Sequence, residues 1–120
     1  MSTRSYIGKL INGNVHSVYC HHDGYPEGVG QTLLNHYNEK NVNQLLELGG
    51  ISSLCNTIEE TAQNAYHEDV HVDTREDYLS DNGPVRSIDY SYLLEDDTWI
   101  VYNHRKNKEY NLLEILSDGE

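Results

Sequence analysis

The chain has 120 residues and a formal net charge of −12 at pH 7, with 20 acidic side chains against 8 basic ones. Such a length suits one domain spanning residues 1–120. Such acidity argues against direct binding to nucleic acid or an anionic membrane, whose phosphates would be repelled. No stretch is apolar for long enough to span a bilayer, Met1–Leu10 lacks the apolar run of a signal peptide, and Cys20 and Cys55 read as reduced thiols of an intracellular protein.

Ser5–Ile11 and Val15–Cys20 read as strands. Asn12-Gly13 between them is a strong hairpin signal, since both residues tolerate positive φ. His22–Gly28 is turn-rich. Val29, Leu33, Leu34 and Tyr37 follow at helical spacing. A second short helix is expected from Val42 to Leu48, with Asn41 as its cap and Gly49 as its stop. Leu54, Ile58, Ala62 and Ala65 mark a third, in which Thr57 and Glu60 fit a capping box. His67, Val70 and Val72 hint at a short strand or extended edge, and Asp81–Pro84 is a loop.

From Ser87 the alternation is that of strands again. Ile88, Tyr90 and Tyr92 alternate with Asp89, Ser91 and Leu93. A turn at Glu95–Asp97, a strand at Trp99–Tyr102, a turn at Arg105–Asn107 and a strand over Glu109–Leu116 complete a three-stranded meander. The fold class expected is α+β: one antiparallel sheet built from the N-terminal hairpin and the C-terminal meander, with two or three short helices packed on one face.

Charge is segregated along this chain. Glu59–Asp97 holds twelve carboxylates against Arg75 and Arg86, while the flanking segments are close to neutral. A field confined to one third of the sequence implies a basic partner or a need for solvation. Tyrosines interleave with the acids, as aromatics do in interface cores. The expected contact surface is therefore Glu68, Asp69, Asp73, Glu76, Asp77 and Asp81, with Tyr66, Tyr78 and Trp99 as apolar anchors at its centre.

Reactive clusters are weaker. Cys20-His21-His22-Asp23 contains zinc-ligand types, and His16 and His36 lie nearby in sequence. Neighbouring strand residues point to opposite faces, so the run cannot readily converge on one ion. No metal or other cofactor is expected, and no catalytic residue is assigned. Cys20 and Cys55 lack the surroundings of a cysteine nucleophile. Gly24–Gly30 precedes a helix as phosphate loops do. With Arg4, Tyr19, His22, Asp23 and Tyr25 beside it, this loop is the alternative site, for a small nucleotide signal that is bound or cleaved.

Met1–Ser5, the run Tyr19–Gly30 (YCHHDGYPEGVG), Leu33–Tyr37 and Leu45–Leu54 (LLELGGISSL) together carry a resemblance. They resemble a family of small uncharacterised proteins of phages, prophages and gut bacteria. The likeness is good over residues 1–54, poor over 55–86 and faint at Tyr90–Trp99. It implies a mobile-element product acting in a bacterial cytoplasm. The expected function is that of a non-enzymatic, acidic inhibitor of a host defence nucleoprotein complex, of the anti-CRISPR or anti-restriction type. It would occupy a basic nucleic-acid-binding surface as a DNA mimic, without touching nucleic acid or membrane itself. Homodimerisation is left open.

Overall fold

The computed structural model describes residues 3–65, 70–79 and 88–118. Its centre is a six-stranded sheet in the order β3-β2-β1-β4-β5-β6, with β1 Ser5–Ile11, β2 Asn14–Cys20, β3 His71–Thr74, β4 Tyr90–Glu95, β5 Thr98–Asn103 and β6 Lys108–Asn111. Four of the five pairings are antiparallel, and β1 with β4 is parallel. The expected α+β class holds, but the sheet is mixed. The hairpin and the meander meet along β1 and β4, which start at the same end of the sheet: Ser5 lies opposite Tyr90 and Lys9 opposite Leu94.

Two tight turns set the registers. Asn12 (φ 52°) and Gly13 (φ 87°) form the left-handed pair that a two-residue hairpin needs. Asp96 (φ 51°) and Asp97 (φ 62°) do the same between β4 and β5, using aspartate's tolerance of that region.

The two faces of the sheet are covered differently. One carries Ile7, Val18, Cys20, Tyr92, Leu94, Trp99 and Val101. A π-helical turn at Pro26–Gly30 runs into α1, Gln31–His36; with α2, Val42–Leu48, and α5, Leu112–Asp118, these segments bury Val29, Leu33, Val42, Leu45 and Leu112 against that face. Each fully buried aliphatic side chain contributes about 1.5–3 kcal/mol of transfer free energy. α3 is the short Ile58–Ala62. Thr57 is its N-cap: its Oγ1 accepts from the Glu60 N–H at 3.2 Å and donates to the Glu60 carboxylate at 3.3 Å.

α4, Arg75–Tyr78, lies on the opposite face, so the helices are not all on one side. Tyr78 and Leu79 pack there with Tyr6, Val15 and Leu93. The Tyr78 hydroxyl donates to the Tyr92 carbonyl at 2.6 Å across the gap at Gly8. A Cβ on Gly8 would stand 2.7 Å from Val15 Cγ1 and 3.1 Å from that hydroxyl, so only glycine lets the ring through. Two further expectations are corrected. Strand β6 stops at Asn111, and α5 replaces the rest of the expected Glu109–Leu116 strand. Asn41 makes no side-chain bond to α2; it accepts from the Asn38 N–H at 2.7 Å and donates to the His36 carbonyl at 2.7 Å, closing the end of α1 instead.

Candidate functional site

Strand register brings several carboxylates together at one end of the sheet. β1 ends beside the start of β2, β4 ends at Glu95, and Thr74 of β3 pairs with Asn14. This end therefore collects Glu76 and Asp77 from α4 and Glu95, Asp96 and Asp97 from the β4–β5 turn. Glu39, from the α1–α2 loop, joins them: its carboxylate accepts from the Asp97 N–H at 3.2 Å and pairs with Lys9 at 3.1 Å. Glu76, Asp77, Asp96 and Asp97 are exposed. Arg75 forks onto Glu95, with Nε–Oε1 3.1 Å and Nη2–Oε1 3.0 Å, and reaches Glu109 at 3.4 Å. That network ties α4 to the meander. The hydrogen bonds that Arg75 donates to the Glu95 carboxylate are the main reason its guanidinium is held above its ordinary pKa.

A cavity of about 280 Å³ opens within this acidic end. Leu34 and Tyr37 of the α1 segment, Leu94 and Trp99 of the hairpin and Leu113 of α5 supply its apolar and aromatic walls, and Asp97 and Thr98 contribute polar groups. Trp99 is fixed there by its indole N–H, which donates to the Tyr37 carbonyl at 3.2 Å. Leu113 remains 60 % exposed beside it. An apolar trough with a carboxylate on its lining suits a long cationic side chain, whose stem is apolar and whose head is charged.

The residues expected from sequence fall out unevenly. Glu68, Asp69, Asp81 and Tyr66 lie outside the described residues. Tyr78 and Trp99 are corrected as protruding anchors: Tyr78 is 0 % and Trp99 5 % exposed, because alternation along the sheet and the Gly8 gap draw both rings into the protein. Asp73 is not a solvated acid. It is half-buried, and its Oδ2 is buried without a hydrogen-bond partner among the described residues. Desolvation chiefly raises its pKa; His71 opposes that and Asp77 adds to it. Asp96, Asp97 and Glu39 were not singled out from sequence. The Asp-Asp turn was visible there, but its meeting with the α1–α2 loop was not.

The five residues of the alternative pocket come from three places: Arg4 before β1, Tyr19 on β2, and His22, Asp23 and Tyr25 in the loop after it. The Tyr19 hydroxyl bonds His21 Nδ1 at 2.6 Å, and its ring meets Tyr6, on the face opposite Cys20. The Tyr25 hydroxyl donates to the Asp23 carboxylate at 3.4 Å, and the Arg4 N–H donates to Asp89 at 3.2 Å. His22 is exposed, and its N–H donates to the Ser52 carbonyl at 2.8 Å. The loop's glycines serve close packing. A Cβ on Gly24 would lie 2.7 Å from the Thr3 carbonyl oxygen, and one on Gly28 2.5 Å from that of Asp23. Cys20 is fully buried, and burial pushes its thiol up to about 12. Burial therefore disfavours the thiolate, the form a nucleophile needs. Among the described residues, no three His, Cys, Asp or Glu side chains are grouped to hold a metal. No described helix is long and apolar enough to cross a membrane.

Comparison with protein-family models, curated proteins and solved structures finds no match to this chain.

Proposed function

We propose that this protein is an acidic binding module that docks its Asp96–Asp97 end onto a basic surface of a nucleic-acid-handling partner, acting there as a charge mimic of DNA. The observation that carries this reading is Asp97 on the lining of the Trp99 cavity, with Glu39 bonded to its N–H and Asp96 next to it in the turn, while Glu76 and Asp77 of α4 lie at the same end of the sheet on its other face. A host defence complex as the partner class rests on the resemblance of residues 1–54 to phage and prophage proteins read in the sequence, for which the comparisons find no counterpart. In this reading the partner inserts a lysine or arginine beside Trp99. Surrounding carboxylates steer the approach and replace phosphates. The role needs no catalysis from this chain.

A fluorescent nona-arginine peptide is a direct probe. Its anisotropy should report binding at low salt that weakens at least about tenfold at several hundred millimolar salt, where exposed charges are screened within about 5 Å. Thr98→Trp, which places bulk on the cavity lining, should weaken binding further at fixed salt. Binding that ignores both salt and Thr98→Trp would sink the proposal.

A further inference from the structure

The opposite end of the sheet has its own character. The β5–β6 turn gathers Arg105, Lys106 and Lys108, three of the eight basic residues of a strongly acidic chain. A second cavity of about 230 Å³ lies beside this turn, on the other side of α5 from the first. Its lining includes Tyr90 of β4, Val101 and Asn103 of β5, Tyr110 of β6, Pro26 and Lys106. The volume is below the roughly 300–1,000 Å³ that encloses a drug-sized ligand. It admits one planar ring and leaves any attached charged group outside. The Asn103 carboxamide oxygen is already engaged by the Arg105 and Lys106 N–H groups at 3.0 and 3.2 Å. Its amide N–H groups are the end that a ring acceptor would use. Lys108 lies 5.3 Å from the Tyr110 ring centre, which concentrates positive charge at the same rim.

We infer that this second cavity is a binding site for a nucleoside monophosphate, with the base against Tyr90 and Tyr110 and the phosphate on Lys106 and Lys108. Arg105 pairs with Asp89 at 3.1 Å. Two independent features point there: a ring-sized cavity with tyrosine on its walls, and the charge of Lys106 and Lys108 at its edge. Tyrosine surfaces stack any base, and a lysine-rich turn answers a phosphate dianion. The site is separate from the acidic end and does not depend on how that end is read. Pro26 places the turn-rich Tyr25–Gly30 segment on its wall, so a ligand here would also bear on the start of the helix that carries Leu33 and Leu34.

The test is a two-dimensional NMR titration of the whole chain with AMP, GMP, CMP and UMP, each to about 5 mM, beyond which binding is weaker than about −3 kcal/mol. Adenosine and inorganic phosphate serve as the two half-ligands. At least one nucleotide should saturate shifts of the Asn103 side-chain amide and of the Tyr90 and Tyr110 rings. Its nucleoside should bind at least about tenfold more weakly, and phosphate alone should not reproduce the ring shifts. Lys106→Glu, at an exposed position, should weaken the nucleotide about tenfold or more without unfolding the chain. The inference is overturned if none of the four nucleotides moves these resonances, if the shifts map elsewhere, or if nucleoside and nucleotide bind alike.

Discussion

Tyr92→Phe is the most informative single-atom change in this fold. Tyr92 is 0 % exposed, and its hydroxyl donates to the Gly24 carbonyl at 2.6 Å. That bond pins the loop after β2 to the centre of the sheet, beside the Val29 N–H that donates to the Asp23 carbonyl. Removing the oxygen leaves a buried carbonyl without this donor, at a cost of about 1–3 kcal/mol. Unfolding entropy near 2.1 cal/mol/K per residue gives a chain of this size about 0.25 kcal/mol/K, so Tm should fall by roughly 4–12 °C. Calorimetry measures the drop, and hydrogen exchange should show faster opening at Gly24 and Val29 than at Val18 or Val101. A Tm within about 1 °C of the parent, with unchanged exchange in the loop, would refute the view that this bond holds the loop in place.

Three further outcomes follow from the same physics. A neutral alkylating agent should label half-buried Cys55 in the native state and spare Cys20, whose thiol is buried and pushed up to about 12; equal labelling rates would contradict the packing. Asp73 has a folded pKa raised above its unfolded value near 3.8, so its ionised form burdens the folded state at neutral pH, and the burden lifts as pH falls through that window. Asp73→Asn should therefore raise Tm at pH 7 and lose that advantage below about pH 4; an advantage equal at both pH values would show that charge is not the cause. Tyr78 and Tyr92 are held well above 10 by burial, so unfolded chains release these protons first and stability should fall as pH rises past 10. A double Phe variant should show a shallower fall in alkaline melts.

Local signals carried much of the fold, and long-range ones did not. Asn12-Gly13 announces its hairpin because the turn chemistry lies within two residues. Thr57 and Glu60 announce the start of α3 for the same reason. The parallel pairing of β1 with β4 joins residues some 85 positions apart, and side-chain alternation does not say which strand is the neighbour. Leu112, Leu113, Ile115 and Leu116 do carry helical spacing, yet in so short a run a strand reading competes with it. At the site, the count of acids was legible and their gathering was not, since Glu39 and Asp97 meet only after the strands take register. The anchor assignment had a readable warning: Trp99 and Val101 alternate with Ile100 and Tyr102, so a ring at Trp99 shares the buried face with Val101.

The central claim is that summed charge at the Asp96–Asp97 end does the binding. Exposed pairs are individually worth about 0–1 kcal/mol, so a single substitution there should do little. The decisive measurement compares the parent with a chain in which Glu76 and Asp77 are changed to lysine and Asp96 and Asp97 to asparagine, which also tolerates the left-handed turn, each immobilised against a bacterial lysate with and without competing duplex DNA. These four side chains are exposed, so the variant should keep its circular dichroism spectrum and a cooperative melt. The account predicts that the parent retains DNA-binding proteins which competing DNA releases, and that the variant retains none of them. A correctly folded variant that captures the same proteins, or parent capture that duplex DNA does not disturb, would contradict it.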